Sequence, residues 1–515
     1  MYDKSSEEIM KKFLSIFLVL AVLVACVVVC TACGKNNDND EFAIFKTNNF
    51  KDYATLDLNY DDFPTLNAEA RWQGLYFVKG YQKATDAHKL ALNNSTGERR
   101  QVPIEIPAEG EEFANAFDPE KPSLIIIHGV QMGDGRQSNA YYWIDNGTSS
   151  EQTEVGDDLS TFFYYADKNA DKKAWNVFYF HYEQFCDAEG SGKEVANMAA
   201  AVSKIVQACW TMGEDNKGSK IIEADYIDNA NPGDGKWSEK AAFNGAICEF
   251  FAAEYTRMIN SVVNKYPDFK TNHEEIRIAA HSMGGVMTTS SITLLTALAD
   301  ANKIDAKLLP NRLALLDPYV GDYADSDLTV AWSGKKIGNF RTAYIKGLKY
   351  YKKVTGGVVE FYVNSTMGFV PYTAGAHDNP LRYEKELKEI CAYTVLYPYY
   401  RNVDIGTAQM GAGHNAIREW YFYSYTVSPI SVYAESDVSL VNRRWQINAN
   451  ATALNYCASA SLPTSELKKI VGKPSIQKVK IPSSVSECIS PVCRIKVIRD
   501  GVETSKQTHV FIPFN

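Results

Sequence analysis

The sequence predicts an α/β protein with a mostly parallel sheet that is covered by helices on both faces. From Pro122 to Asn415, short continuous apolar runs, typical of strands buried on both sides, alternate with helical patterns. Apolar residues also recur at helical spacing from Ala241 to Asn264, directly before one of these runs. With 515 residues, of which 45% are hydrophobic, the chain is long enough to bury a large core.

Residues 1–32 have the composition of an export signal. A nearly unbroken apolar run from Phe13 to Val29 follows two lysines, and small residues precede Cys33. This pattern resembles a bacterial lipoprotein signal, in which the cysteine becomes the lipidated mature N-terminus. The resemblance implies lipidation of Cys33, with Cys26 as the alternative, and a lipid-anchored protein in the cell envelope, outside the cytoplasmic membrane. An uncleaved transmembrane anchor is the other interpretation.

Three regions follow the signal. Residues 33–70 are expected to form a tether and a loosely ordered leading segment, and residues 71–427 the α/β domain. Residues 428–515 alternate short strands with polar turns, which predicts a β-rich C-terminal appendage. The α/β domain begins with two antiparallel edge strands and continues with five buried strands. In chain order, these strands are predicted over Gly74–Val78, Val102–Ile106, Leu124–Ile127, Val177–Phe180, Ile276–Ala280, Leu313–Leu316 and Val358–Val363.

Two insertions interrupt the predicted domain. Residues 211–240 are rich in Gly, Asp, Asn and Lys, which favours a solvated loop over a mobile flap, because a flap that closes over an apolar site usually carries an apolar stripe. Residues 364–412 contain many aromatic side chains and are the better candidate for the wall of an apolar pocket. Ordinary core packing of these aromatic residues is the alternative interpretation.

The ten residues from Ile276 to Gly285 contain the most informative pattern of the chain. An apolar run ends at Ala280, and Ser282 follows between His281 and Met283, before two glycines and a helix-forming stretch. A strand, a sharp turn and a helix in this order lift a serine hydroxyl clear of the backbone. Small residues two positions before and after the serine let the strand and the helix approach each other closely.

This pattern resembles the nucleophile elbow of the α/β-hydrolase superfamily, most nearly that of its lipases and esterases. The first small residue is Ala280, where glycine is usual, a variant also seen in some bacterial lipases. The resemblance covers residues 75–427 and implies that Ser282 is the catalytic nucleophile, followed in the chain by an acid and then a histidine. A serine in an ordinary strand-to-helix turn is the alternative interpretation.

Two later signals occur in the order that the resemblance implies. A buried strand ends directly in Asp317, which predicts this residue as the acid, at the edge where α/β sheets place their ligands. Glycines precede His414 at the start of an aromatic-bearing segment with a helical pattern, which predicts His414 as the base. The alternative candidates are Asp322 and Asp325 for the acid, and His377 and His509 for the base.

The strand that begins at Ser123 ends in His128-Gly129, and the resemblance identifies this as an oxyanion-binding loop. It assigns one oxyanion donor to the backbone N–H of Val130 and the other to the backbone N–H of Met283. Two such donors each contribute about 3 kcal/mol of transition-state stabilisation. His128 is expected to support this loop rather than to act as the base.

The resemblance therefore implies a serine hydrolase that cleaves carboxylic esters, with lipid or acylglycerol esters as the first expectation. Such a triad needs neither a metal nor an organic cofactor. The alternatives are a peptidase or amidase with the same triad, and a non-catalytic surface protein that keeps the fold for binding. A net charge of −9 argues against a nucleic-acid partner, so the expected partners are an ester substrate and, through the lipid anchor, the membrane.

The cysteines do not suggest a metal site. Seven of the ten lie beyond the signal region, an odd number that cannot be fully paired within one chain, and their irregular spacing does not match a zinc-binding pattern. Cys488 and Cys493 are close enough in sequence to bridge a short loop.

Overall fold

The computed structural model describes most of the predicted sheet and parts of the segments around it. The described residues are 40–58, 73–83, 101–129, 175–182, 185, 205–212, 218–222, 237–319, 329–364, 384–396, 417, 421, 431–433, 453–456, 460–472, 475–477, 494–499 and 502–509. The predicted signal, with Cys26 and Cys33, lies outside them. The chain divides into two units, residues 1–44 and 45–515, and only residues 40–44 of the first unit are described.

One sheet of eleven strands organises the second unit. In chain order, the described strands are β1 (Gly74–Lys83), β2 (Gln101–Pro107), β3 (Ser123–Ile127), β4 (Asn176–His181), β5 (Ser219–Ile222), β6 (Trp237–Phe243), β7 (Ile276–His281), β8 (Arg312–Leu316), β9 (Val358–Asn364), β10 (Ala392–Leu396), β11 (Ser431–Tyr433), β12 (Ala453–Tyr456), β13 (Ser475–Gln477), β14 (Arg494–Arg499) and β15 (Val502–His509). The order across the sheet is β12–β11–β13–β10–β9–β8–β7–β3–β4–β1–β2, while β5–β6 and β14–β15 form separate two-stranded sheets.

The middle of the large sheet is parallel, from β13 to β4, and an antiparallel pair of strands closes each edge. The predicted edge strands pair antiparallel as β1 and β2, and the five predicted core strands are β3, β4, β7, β8 and β9. The predicted α/β architecture with a mostly parallel sheet is thus confirmed.

Seven helices have bounds within the described residues: α1 (Gly110–Ala116), α2 (Ile247–Lys265), α3 (Phe269–Asn272), α4 (Met283–Asp300), α5 (Phe340–Thr355), α6 (Glu384–Ile390) and α7 (Thr464–Ile470). Every residue of α4 except the last is buried. Its hydroxyl groups at Thr289, Thr293 and Thr296 donate to backbone carbonyls four residues earlier, which satisfies them inside the core. None of the helices in the described part of the chain is long and apolar enough to cross a membrane.

The register of the strands shows which side chains share a face. Ile125 pairs with both Phe178 and Ile278, so these three residues point to the same face of the sheet. On this face Phe178 contacts Phe113 of α1, and the rings of Phe180 in β4 and Phe251 in α2 lie 4.9 Å apart. The first two helices therefore cover this face.

The opposite face is covered by residues from the C-terminal part of the chain. Arg277 and Arg312 are register partners in β7 and β8, and both are buried. Arg277 Nη1 donates to the hydroxyl of Tyr421 (3.1 Å) and to the carbonyl of Ala460 (2.9 Å), and Arg312 Nη1 donates to the carbonyl of Leu462 (2.6 Å). The sheet is thus enclosed on both faces, as its continuous apolar strands predict.

Two carboxylates balance these buried arginines. Glu360 forms a buried ion pair with Arg312, and Glu275 pairs with Arg277 at 2.5 Å. Burial by itself would raise the pKa of Glu275, but the charges of Arg277 and Arg312 outweigh it and hold the pKa below its ordinary value. Burial and the charge of Arg277 oppose ionisation of Arg312, but Glu360 and Glu275 outweigh them and raise its pKa.

Part of the C-terminal region differs from the expectation of a β-rich appendage over residues 428–515, while β14 and β15 form a two-stranded sheet of their own. Strands β11, β12 and β13 continue the central sheet, and α7 contributes a helix that the strand-and-turn pattern does not predict. Two of the contacts that hold this region use its backbone, namely the pairing of its strands and the hydrogen bonds from Arg277 and Arg312 to its carbonyls. Such contacts leave no side-chain pattern in the sequence.

The segment from Phe45 to Leu58 corrects the expectation of loose order over residues 33–70. The ring of Phe45 stacks on Trp210 and Trp332, and the indole N–H of Trp332 donates to the carbonyl of Phe45 (2.9 Å). Tyr53 donates to the buried carboxylate of Glu249 (2.8 Å). This part of the leading segment is therefore packed on the α/β domain.

Both predicted insertions contain regular structure. Within residues 211–240, β5 pairs antiparallel with β6, which begins there at Trp237 and continues beyond it to Phe243. Within residues 364–412, α6 leads into β10 of the central sheet, where the ring of Tyr393 is buried and stacks on Phe361 at 5.5 Å. Tyr393 therefore belongs to the ordinary core rather than to a pocket wall.

Candidate active site

Ser282 lies at a sharp turn between the end of β7 and the start of α4. Its backbone angles, φ 53° and ψ −120°, belong to a left-handed turn conformation that usually requires glycine. Although Ser282 occupies the N-cap position of α4, its side chain makes no capping hydrogen bond, unlike most serines at that position. The turn therefore holds a hydroxyl that the helix does not use.

The backbone of Ser282 is tied to the end of β8. Its N–H donates to the carbonyl of Leu316 (3.0 Å), and its carbonyl accepts hydrogen bonds from the N–H groups of Gly285 and Tyr319, each at 3.0 Å. Two of these bonds join the turn at Ser282 to Leu316 and Tyr319, which lie on either side of Asp317 in the chain. The strained conformation is thus held by the neighbouring strand, and the predicted acid is brought to the predicted nucleophile.

Close backbone approaches around the turn explain its small residues. A Cβ atom on Gly284 would lie 2.4 Å from the carbonyl oxygen of His128 and 2.8 Å from that of Ile127. A Cβ atom on Gly129 would lie 2.9 Å from Cβ of Ser282. Glycine is therefore required where α4 meets the end of β3, and the His-Gly loop passes directly beside Ser282.

Asp317 follows the last residue of β8 at the carboxyl end of the parallel sheet. It is 3% exposed, and its N–H donates to the carbonyl of Tyr362 in the neighbouring strand (2.8 Å). Its φ of 43° turns the chain sharply into Pro318, which packs against Gly285 of α4. The predicted acid is therefore a buried residue on a fixed backbone.

Met283 is the first residue of α4. The N–H groups in the first turn of a helix have no intrahelical acceptor, and the helix dipole gives this end a partial positive charge. An anion that forms next to Ser282 would therefore meet a donor at Met283, as the oxyanion assignment requires.

The His128-Gly129 loop contains a partner that the sequence reasoning missed. His128 is buried, and its Nδ1 lies 2.7 Å from the carbonyl oxygen of Gly129. Tyr182, directly after β4, donates from its hydroxyl to the carbonyl of His128 (2.6 Å), and its ring stacks on the His128 ring at 4.2 Å. The only signal in the sequence is an aromatic residue at the end of a core strand.

The structure thus brings together three of the predicted site residues: Ser282, Met283 and Asp317. The predicted base His414 and the second oxyanion donor Val130 lie outside the described residues, as do the alternative candidates Asp322, Asp325 and His377. The alternative base His509 ends β15, in the separate sheet that β15 forms with β14.

Three cysteines among the described residues are rival nucleophiles. Cys209, Cys248 and Cys391 are free thiols in the core. Burial raises the pKa of each, to about 12 for Cys391. Because the thiolate is the reactive form of cysteine, these residues are suited to packing rather than to catalysis.

No group of three or more His, Cys, Asp or Glu side chains in the described ranges is arranged to hold a metal ion. The chain matches no protein-family model and no curated protein sequence. Inferences about its function therefore depend on the geometry around Ser282 and on the sequence.

Proposed function

We propose that the protein is a serine hydrolase of the α/β-hydrolase type that cleaves carboxylic esters. The observation that carries this proposal is the hydroxyl of Ser282, presented on a left-handed turn at the carboxyl edge of the parallel sheet and not used as a helix cap. Such a conformation costs about 1–3 kcal/mol and is kept mainly at functional sites. The backbone clamp that joins Ser282 to the segment around Asp317 supports the assignment of these residues as nucleophile and acid.

In the proposed mechanism, Ser282 Oγ attacks the ester carbonyl carbon while His414 takes the hydroxyl proton. Asp317 orients the ring of His414 and stabilises its charged form. The tetrahedral oxyanion accepts hydrogen bonds from the N–H groups of Met283 and Val130. When it collapses, the bond from carbon to the alcohol oxygen breaks, and the alcohol leaves with the proton from His414.

The second half of the reaction releases the acid. His414 takes a proton from a water molecule, whose oxygen attacks the acyl carbon attached to Ser282. The new tetrahedral intermediate collapses, Ser282 recovers its proton from His414, and the carboxylic acid departs. All groups return to their starting state, and no redox or metal chemistry is required.

The substrate class is proposed from the same residues. The sequence Ala280-His281-Ser282-Met283-Gly284 and the acid in Leu316-Asp317-Pro318 resemble lipases, which favours lipid or acylglycerol esters. A lipid anchor at Cys33 would hold the enzyme in the cell envelope, next to such substrates. Both points follow from the resemblance of the sequence.

The test uses the full chain in a mild detergent. The protein is treated with a fluorophosphonate, which phosphonylates activated serines with loss of fluoride, and the modified peptide is identified by mass spectrometry. Hydrolysis of p-nitrophenyl esters from acetate to palmitate is measured in parallel. We expect modification at Ser282, and we expect turnover to fall by about 10⁴-fold or more in Ser282→Ala and His414→Ala.

A matched control is Ser290→Ala, which removes another buried serine hydroxyl, one that donates to the carbonyl of Met287 within α4. It should keep both labelling and turnover. Faster cleavage of p-nitroanilides than of the corresponding esters would favour the amidase alternative. A folded protein with neither labelling at Ser282 nor turnover would refute the hydrolase and favour a binding protein.

A further inference from the structure

Tyr182 lies next to the proposed oxyanion-binding loop, and the proposed mechanism gives it no role. It follows β4 directly, and its side chain is fully buried. The preceding residue, His181, is held by the buried carboxylate of Glu105, with 2.9 Å between His181 Nε2 and Glu105 Oε2. The end of β4 is therefore anchored independently of the loop that Tyr182 contacts.

Tyr182 contacts one peptide group of that loop directly and the next one through the ring of His128. Its hydroxyl donates to the carbonyl of His128, which lies in the same planar peptide as the N–H of Gly129. Its ring stacks on the imidazole of His128, whose Nδ1 is 2.7 Å from the carbonyl oxygen of Gly129. Because a carbonyl oxygen only accepts hydrogen bonds, His128 must carry a proton on Nδ1 and donate it to this carbonyl.

The carbonyl of Gly129 shares its planar peptide with the N–H of Val130. A hydrogen bond that fixes this carbonyl therefore also sets the direction of the N–H on the other side of the peptide. This N–H is the donor that the proposed mechanism assigns to the oxyanion. Gly129 itself lies against Ser282, so a rotation of either peptide would act directly beside the nucleophile.

We propose that Tyr182 is a positioning residue that orients the oxyanion-binding loop through its hydrogen bond to the His128 carbonyl and its contact with the His128 ring. The inference rests on the proposed hydrolase function. Since the negative charge on the carbonyl oxygen is absent from the bound ester and develops as the tetrahedral intermediate forms, loosening the loop should lower kcat and leave KM nearly unchanged. A loss of fit as small as 1 Å can reduce the rate by up to about 100-fold.

The chain offers two closely matched control residues. Tyr255 and Tyr351 are also fully buried, and their hydroxyls donate to the backbone carbonyls of Leu308 (2.7 Å) and Pro310 (2.8 Å). A Tyr→Phe substitution at any of the three positions removes one buried hydroxyl and one hydrogen bond to a carbonyl. Only at Tyr182 does that carbonyl belong to the loop beside Ser282.

The experiment compares Tyr182→Phe, Tyr255→Phe and Tyr351→Phe in the full chain. Three quantities are measured: kcat and KM for p-nitrophenyl butyrate, the inhibition constant of a trifluoromethyl ketone that forms a tetrahedral adduct with serine, and the melting temperature. We expect all three variants to lose similar thermal stability. Tyr182→Phe alone should lower kcat about tenfold or more, keep KM within about twofold, and weaken the inhibitor by a factor similar to the loss in kcat.

A second variant, His128→Phe, keeps a stacking ring but removes the Nδ1 donor, and it should show the same split between kcat and KM. The inference is overturned if Tyr182→Phe retains wild-type kcat and inhibitor affinity, or if the two control variants lose as much kcat as Tyr182→Phe does. If the unaltered protein shows neither turnover nor labelling of Ser282, the proposed function falls and this inference falls with it. Normal turnover that is insensitive to Tyr182→Phe refutes the positioning role alone.

Discussion

Replacing Ser282 by glycine tests whether the proposed nucleophile stores backbone strain. Its left-handed conformation costs any residue with a Cβ atom about 1–3 kcal/mol, and glycine adopts it freely. Compared with alanine, glycine costs about 0.5–1 kcal/mol through the entropy of the unfolded chain. The methyl group that alanine would bury contributes about a further 0.8 kcal/mol.

At Ser282 these contributions nearly cancel, because about 2 kcal/mol of released strain offsets about 1.5 kcal/mol of glycine cost. We therefore expect Ser282→Gly to be at least as stable as Ser282→Ala. Ser290 is the internal control, since it is fully buried in the middle of α4, where the backbone is helical. There the glycine variant should be less stable than the alanine variant by about 1.5–2 kcal/mol, because no strain is released.

The assay is urea unfolding of the four variants, followed by tryptophan fluorescence, with p-nitrophenyl ester turnover measured on the same samples. Both variants of Ser282 should be inactive, and both variants of Ser290 should retain activity. If Ser282→Gly is less stable than Ser282→Ala by the margin seen at Ser290, the turn is not strained, and the main structural argument for the nucleophile is refuted.

Two further predictions concern the core. The hydroxyl of Thr288 is fully buried and has no hydrogen-bond partner within the described ranges, so Thr288→Val should raise the free energy of unfolding by about 1–2 kcal/mol. Thr293→Val removes a hydrogen bond to the carbonyl of Thr289 and should not raise it. Equal effects of the two substitutions in urea unfolding would contradict this prediction. The pKa of Glu275 lies below its ordinary value of 4.5, so its contribution to stability is present above that value and is lost as the pH falls through the folded pKa. Glu275→Gln should therefore be less stable than wild type at neutral pH, and its free energy of unfolding should fall less steeply in acid, by at most about 1.4 kcal/mol per pH unit. The control is Glu466→Gln, which removes an exposed ion pair with Lys469 and should follow the wild-type curve in acid unfolding.

The features that the sequence predicts well are local. The core strands are mostly apolar runs, because parallel strands are buried on both faces, and the elbow combines a strand, a serine and close glycines within ten residues. For the same reason, the position of Asp317 at the carboxyl end of a buried strand could be predicted, since Asp317 directly follows one of these runs. Periodicity also located the helix before the elbow, although α2 begins only at Ile247 because β6 continues to Phe243.

The features that could not be predicted depend on backbone acceptors or on distant partners. Tyr182 donates to a carbonyl, and a carbonyl is present at every residue, so the sequence carries no mark of the contact. The arginines of β7 and β8 likewise bind the carbonyls of Ala460 and Leu462. The apolar residues of the segment from Phe45 to Leu58 follow no helical or strand period, and the segment is held by partners such as Glu249, nearly 200 positions later in the chain.

These long-range bonds to carbonyls also constrain how the chain can fold. Arg277 and Ala460 are separated by 183 positions, and Arg312 and Leu462 by 150, so the central strands acquire these partners only after most of the chain has been synthesised. Contacts of such high sequence separation slow folding, because a long loop must close before they form. Until then, Arg277 and Arg312 would lack these two carbonyl acceptors, which disfavours early burial of their guanidinium groups. The chain is therefore expected to complete its core late and cooperatively, with residues 460–464 as one of the last pieces that the core needs.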